Sequence, residues 1–365
     1  MATQYTQREI RRLIGMFDVY GDFLIGTPFG NGNVNDTFQL TFDQGGVRLH
    51  YALQKINSHV FKNPVHVMEN VARVTDHILG KIRAAHAETK KRTIRLLHAH
   101  DGKPYAFDDK GDCWRAYIFV ENARAYEVLE SPEQAFRVGQ GFGDFQKQLA
   151  DFKGRLHETI PDFHNTPKRI SALEAAIKAD AFGRCKNVAA EIDFVLSRKD
   201  EADKLLKLHA SGDIPERITH NDTKANNILI DDLSGESICV IDLDTVMPGL
   251  SLYDFGDMVR SGTNPAEEDE INLDRVGMRF DMYEGFYDGF ICAAGEVLTE
   301  AEKEMLPFSA KLITLEIGTR FLTDYLMGDI YFKTKRPNQN LDRCRTQFKL
   351  VESIEAQMNK MMALL

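Results

Sequence analysis

The segment 218–249, ITHNDTKANNILIDDLSGESICVIDLDTVMPG, constrains this chain more than any other. A polar turn carrying His220 and Asp222 follows a short apolar approach, and Asn227 opens an apolar run five residues after Asp222. The turn-forming DDLSGE then leads into a second apolar run that ends near Asp242. Two apolar runs around such a turn read as a hairpin, and a hairpin brings Asn227 and Asp242 within reach of one cation. Oxygen ligands of this kind, few in number and completed by water and phosphate, suit Mg2+. Asp222, on the loop before them, is placed to orient a hydroxyl or accept its proton, and a phosphoryl-transfer site needs these parts. Singly, each residue is an ordinary turn former, and His220 is expected only to brace the loop through backbone contacts. The order H-x-D-x-x-x-x-N, strand, turn, strand, Asp carries the weight.

Composition narrows the setting. With 365 residues, 23 Phe and 11 Tyr, the chain can bury a large core and is expected to form one large domain or two fused ones. A formal charge of −10 disfavours a broad nucleic-acid surface. The five cysteines lie far apart with no CxxC pair, which argues against a disulfide framework or a cysteine zinc site and for a reducing compartment. The start, MATQYTQREIRRLIGMF, has no continuous apolar stretch, and no run in the chain approaches a membrane span. The expectation is a cytoplasmic protein with no nucleic-acid or membrane partner; a monomer is the default.

The pattern changes near residue 121. Before it, TFQLTF (37–42) and LHYALQKI (49–56) flank DQGG as a hairpin, and Val67, Val71, Val74 and Ile78 mark a helix with Asn63 as cap and Pro64 in its first turn. Runs at 93–100, 104–107 and 113–120 read as further strands. After it the helical period dominates, although Gly141 and Gly143 weaken the helix expected from Ser131 onward. The expected fold class is α+β, with a small antiparallel β-rich lobe over 1–120, a larger helical lobe over 121–365, and a cleft between them. In TPFGNGNVN, Gly30 and Gly32 with Asn31 and Asn33 can form a tight turn whose amides face phosphates. A GxxxxGK[ST] P-loop is absent from the sequence.

HNDTKANN followed by IDLD resembles the aminoglycoside phosphotransferase and choline kinase superfamily, which has a protein-kinase-like two-lobe fold. The resemblance implies ATP and Mg2+ as cofactors, Asp222 as catalytic residue, and Asn227 and Asp242 as metal ligands. Asp244 stands where relatives often carry an acid, with its role open. SLYDFGDMVR continues the likeness, with Asp254 and Asp257 expected to cap or pair within the fold. Such folds place a lysine on the third strand to meet ATP phosphates. Here Gln54 takes that position and Lys55 follows it, facing the opposite way. Glu69, on the following helix, is expected on a solvated face. Adenine is expected beside Phe119, Glu121 and Asn122 in YIFVEN.

Further blocks, among them WRAYIFVEN, GFGDFQKQLADF, VIDLDTVMPG and GTRFLTDYLMGDIYFKTKRP, look like the N-acetylhexosamine 1-kinases and span essentially the whole chain. That resemblance implies phosphorylation of the anomeric hydroxyl of GlcNAc or GalNAc, with Arg320 and Tyr331 reaching the sugar and Asn33 standing where a relative has a His. On local chemistry alone Arg320 could instead pair with Asp324, its i+4 neighbour. Phe163, His164 and Asp144 are expected only to pack or anchor loops. Two alternatives stay open: a kinase of the same fold for choline, ethanolamine, homoserine or another sugar, and a catalytically weak binding protein, prompted by Gln54.

Overall fold

A computed structural model describes residues 5–30, 35–85 and 92–365; the expected site residues Asn31, Gly32 and Asn33 lie outside them. The chain enters on α1 (Gln7–Ile14), whose first turn is closed by reciprocal hydrogen bonds between Thr6 and Glu9. β1 (Asp22–Pro28), β2 (Asp36–Gln44) and β3 (Val47–Lys55) follow. β2 and β3 pair antiparallel around Gly45 and Gly46, both at positive φ, as the DQGG turn predicts. α2 (Pro64–Ala84) is capped by Asn63, which accepts from the His66 amide. β4 (Ala106–Phe107) and β5 (Cys113–Ile118) complete a five-stranded sheet in the order β1-β2-β3-β5-β4.

The run at 93–100 does not form the expected strand. β4 already occupies one end of β5, pairing Ala106 with Trp114 and Phe107 with Cys113. Only the other end is left, where Leu97 N donates to the Ala116 carbonyl and Ile118 N to that of Arg95. The segment therefore contributes isolated bridges such as Leu96↔Tyr117.

β6 (Ala123–Arg124) crosses to the helical part: α3 (Pro132–Leu149), α4 (Thr166–Ala179), α5 (Ala189–Leu196), α6 (Lys204–Ser211), β7 (Arg217–Thr219), β8 (Ile228–Asp231), β9 (Ser237–Val240), β10 (Met247–Gly249), α7 (Ser251–Gly262), α8 (Phe280–Ala294), α9 (Glu300–Leu326) and α10 (Gln339–Met362). β8 pairs with β9 and with β6, while β7 pairs with β10. The two parts share apolar packing: Val67, Val71 and Val74 of α2 belong to the same buried cluster as Leu243 and Val246 beyond β9. Among the described residues no helix is long and apolar enough to cross a membrane. The five cysteines are all free.

Contrary to the expectation from Gly141 and Gly143, α3 is unbroken, because its glycines serve packing. A Cβ at Gly143 would stand 2.8 Å from the Phe290 carbonyl oxygen of α8, and one at Gly141 would stand 2.5 Å from Ile228 of β8. Glycines of α8 reciprocate, so the backbones of α3 and α8 meet directly, and α3 also carries the β8–β9 hairpin. A methyl group at Gly289 would lie 2.1 Å from the Phe136 carbonyl oxygen. Gly289→Ala is therefore expected to destabilise the protein by about 2 kcal/mol. An unchanged urea midpoint and slope would show that the helices part freely and that this account of the glycines is wrong.

Candidate active site

β7 ends at Thr219 and the chain then turns sharply through Asn221, at φ +64, a left-handed conformation that Asn tolerates better than most residues. Asp254, in the first turn of α7, holds the turn. Its carboxylate accepts from the backbone N–H groups of His220 (3.0 Å) and Asn221 (2.7 Å) and from Gln146 Nε2 (2.6 Å). Its own carbonyl accepts from Thr223 Oγ1 at 2.5 Å. The His220 ring lies near Phe142 and Phe145, with Nε2 2.9 Å from the Ile241 carbonyl oxygen. Thus His220 and Asp254 both tie the 220–227 loop to its surroundings. Asp257 pairs with Arg260 at 2.8 Å and stays within the fold.

The loop presents Asp222. Asn227 Nδ2 donates to the Asp222 carbonyl (2.8 Å) and to its Oδ2 (3.2 Å), and Lys224 Nζ lies 3.1 Å from Oδ1. Burial raises the Asp222 carboxyl, but Lys224 and then His220 outweigh it and hold the group below its ordinary value. Ile241 N donates to the Asn227 carbonyl at 2.9 Å, which brings the next residue, Asp242, to the same end of the hairpin. Asp242 takes φ +57 just after the β9 strand. The residue is exposed overall, but the surrounding protein partly desolvates its carboxyl group. That desolvation, followed by the Asp244 and Asp222 carboxylates, pushes its carboxyl up to about 6.

Magnesium fits this donor set. No hydrogen bond engages the Asp242 carboxylate or the Asn227 amide oxygen among the described residues, both are hard oxygen donors, and Asp242 is crowded by like charge. Among the described residues no group of three or more His, Cys, Asp or Glu side chains forms a ready metal cage. The protein would thus supply few ligands and leave the rest to phosphate and water, which is the usual manner of Mg2+.

At the end where the nucleotide is expected, Gly30 has φ +79, so glycine is favoured there by backbone conformation. Gln54, expected at the nucleotide, is engaged within the sheet: its Nε2 donates to Thr37 Oγ1 and its Oε1 accepts from Arg115 Nε, both at 2.9 Å. Lys55 points away and pairs with Asp112 at 2.5 Å. Glu69 forms a half-exposed pair with His157 at 2.6 Å. The 119–122 stretch is also partly committed. Phe119 N donates to the His50 carbonyl, the Asn122 carbonyl accepts from Asp232 N, and the Glu121 carboxylate meets His50 Nδ1 at 2.8 Å. Phe29 and Phe119 face each other edge to face, 5.2 Å apart.

At the opposite end Arg320 does not pair with Asp324. That carboxylate is consumed by the backbone N–H groups of Ile330, Tyr331 and Phe332 and by Asn340 Nδ2. The Arg320 guanidinium instead lies near the rings of Phe163 (5.3 Å), Phe332 (5.6 Å) and Tyr331 (5.8 Å), with no ion pair among the described residues. Phe163 thus packs against Arg320, and His164 beside it anchors a loop. His164 is buried between Glu316 Oε1 (2.9 Å), one turn before Arg320, and the Asn221 carbonyl (3.3 Å). The chain of contacts Arg320, Phe163, His164, Asn221 joins this end to the Asp222 loop. Sequence reasoning missed three participants. Lys224 was signalled by its place in the HNDTK motif, and Arg115 by a cation inside the apolar run CWRAYIFV. His164 had no local signal.

The profile of the phosphotransferase enzyme family APH matches residues 25–285. Solved structures share the fold across nearly the whole chain at low identity. An aminoglycoside phosphotransferase from Alicyclobacillus acidocaldarius is 14% identical, with TM-score 0.63 and coverage of 100% of this chain and 98% of that one. A microcompartment-associated aminopropanol kinase is 15% identical, with TM-score 0.58 and coverage of 97% and 98%. A spectinomycin phosphotransferase, solved with ADP and spectinomycin, is 14% identical, with TM-score 0.55 and coverage of 99% and 100%. A kinase-like fold, the Asp222 loop beside the Asn227–Asp242 hairpin end, and a family match from β1 into α8 agree: the chain belongs to the phosphotransferase enzyme family.

Proposed function

We propose that the protein transfers the terminal phosphoryl group of ATP to the anomeric C1 hydroxyl of an N-acetylhexosamine, GlcNAc or GalNAc, in the cytoplasm. The observation that carries the transfer is the grouping of Asp222, Asn227 and Asp242 at one end of the hairpin. Asp222 orients the C1 hydroxyl and takes its proton late in transfer. Asn227 and Asp242 hold the metal; Mg2+, when bound, neutralises charge on the phosphates. Lys224 keeps Asp222 ionised. Residues 1–120 form the nucleotide lobe, with Gly30 near the phosphates and adenine beside Phe119, Glu121 and Asn122; residues 121–365 carry the rest. An anomeric hydroxyl is more acidic than an ordinary alcohol, so a carboxylate of low pKa suffices.

The acceptor assignment draws on the sequence resemblance and on Arg320. Arg320 and Tyr331 suit a neutral sugar, the guanidinium bonding hydroxyl or acetamido oxygens and the ring covering an apolar face. The same feature disfavours a cationic acceptor such as choline or an amino alcohol, because the aromatic faces that would receive the ammonium already carry a guanidinium. Arg169 adds to this: burial, and then Arg320, push it below its ordinary value. The test is ADP release from Mg-ATP with a panel of N-acetylhexosamines, plain hexoses, choline and homoserine. Rapid turnover of choline without turnover of N-acetylhexosamines would overturn the sugar reading, and tight nucleotide binding with no turnover at all would favour a binding protein. Arg320→Met is expected to raise the acceptor KM about 30-fold, the worth of one or two charge-assisted hydrogen bonds, with the Mg-ATP KM unchanged. Equal shifts in both would remove Arg320 from the acceptor pocket.

A further inference from the structure

Arg115 on β5 is a buried cation in the nucleotide lobe, and its partner is Asp244 in the helical part; both side chains are 4% exposed. The pair closes a continuous row. Thr37, Gln54 and Arg115 are neighbours in register across β2, β3 and β5. Gln54 Nε2 donates to Thr37 Oγ1, Arg115 Nε donates to Gln54 Oε1, and Arg115 Nη1 bonds Asp244 Oδ1. The other Asp244 oxygen accepts from Asn35 Nδ2 at 2.7 Å. Asp244 follows Asp242 by two residues in a single helical turn, so whatever fixes Asp244 fixes the turn that presents Asp242. A buried ion pair is rarely the cheapest way to stabilise a fold, since apolar residues of similar volume often do as well or better. Its value here lies in geometry.

We propose that Arg115 is the positioning cation of the nucleotide–metal site: from β5 it grips Asp244 across the two lobes, sets the Asp242 turn for a metal–nucleotide complex, and thereby explains why β3 carries Gln54 instead of lysine. The inference rests on the nucleotide and metal reading above. Gln54 is the direct cross-strand partner of Arg115, and its amide oxygen is the acceptor that holds Arg115 Nε. A lysine at 54 would remove that acceptor and set two cations side by side in a part-buried row, which is repulsive for directly opposed side chains.

The test measures binding of Mg-ADP, of ADP in EDTA and of adenosine by titration calorimetry, without any acceptor. Removing Arg115 alone strands the Asp244 charge, so the variants are Gln54→Lys and the neutral pair Arg115→Met/Asp244→Asn, each checked by thermal melting. Both are expected to weaken Mg-ADP at least tenfold, to change adenosine affinity less than twofold, and to approach wild type once Mg2+ is withdrawn. In turnover assays the Mg-ATP KM rises while the acceptor KM holds. Gln54→Lys binding Mg-ADP as tightly as wild type would overturn the proposal, as would equal losses for adenosine and Mg-ADP. Wild-type protein that fails to bind Mg-ADP would instead overturn the nucleotide reading itself.

Discussion

Replacing Asp222 with Asn is expected to lower kcat about a thousandfold, within the range that general acid–base groups contribute, while Mg-ADP affinity stays close to wild type. The substitution is nearly isosteric and keeps an oxygen where Asn227 Nδ2 now meets Oδ2 at 3.2 Å. The loop should therefore keep its shape, because its bracing runs through His220, Asn221 and Asp254 and not through the Asp222 side chain. An amide cannot accept the acceptor's proton, and with its oxygen kept toward Asn227 its NH2 group replaces the Oδ1 that pairs with Lys224 at 3.1 Å, so that ion pair is lost. In a loose phosphoryl-transfer transition state the nucleophile loses its proton late, so the carboxylate's main work is to aim the hydroxyl. Single-turnover rates at saturating Mg-ATP and calorimetry with Mg-ADP separate the two effects. A kcat within tenfold of wild type would remove Asp222 from the chemistry.

What the sequence made legible follows how local each signal is. The hairpin that unites Asn227 and Asp242 is written within one segment, and so is the β2–β3 turn at Gly45 and Gly46. The alternative pairing of Arg320 with Asp324 does not form because the i+4 rule treats a helix in isolation. Asp324 is instead claimed by three backbone N–H groups of the turn at 330–332. Gly141 and Gly143 looked like breakers because their packing partners, Ile228 and Phe290, are far along the chain. Gln54 looked like a gap in the site for the same reason. The cation that answers it is on the neighbouring strand, and that cation's carboxylate is 129 residues further on. Asp254 is expected from the sequence to cap or pair within the fold, and only the fold reveals that what it holds is a loop more than thirty residues upstream.

Asp242→Asn is expected to lower kcat/KM for Mg-ATP by two to three orders of magnitude, matching the several kcal/mol that a metal supplies to charge stabilisation, and to leave adenosine affinity unaltered. Asn tolerates the φ of +57 that Asp242 adopts, and the carboxylate accepts no hydrogen bond from the described residues, so little structure is lost with it. In the metal-free protein the change should even stabilise. The folded-state carboxyl lies near 6 because of burial and the neighbouring Asp244 and Asp222, above its ordinary value of 3.8. The folded protein thus holds that proton more tightly than the unfolded chain does. This contribution to stability is present below pH 3.8 and is lost as pH rises through about 6. In EDTA, the melting temperature of Asp242→Asn relative to wild type should therefore climb between pH 4 and 7, and without EDTA, Mg-ADP should stabilise wild type far more than the variant. A variant that melts lower than wild type in EDTA at pH 7 would mean that Asp242 holds the fold together. The same residue would then not be a carboxylate kept under repulsion for a cation, and the metal assignment would fall with it.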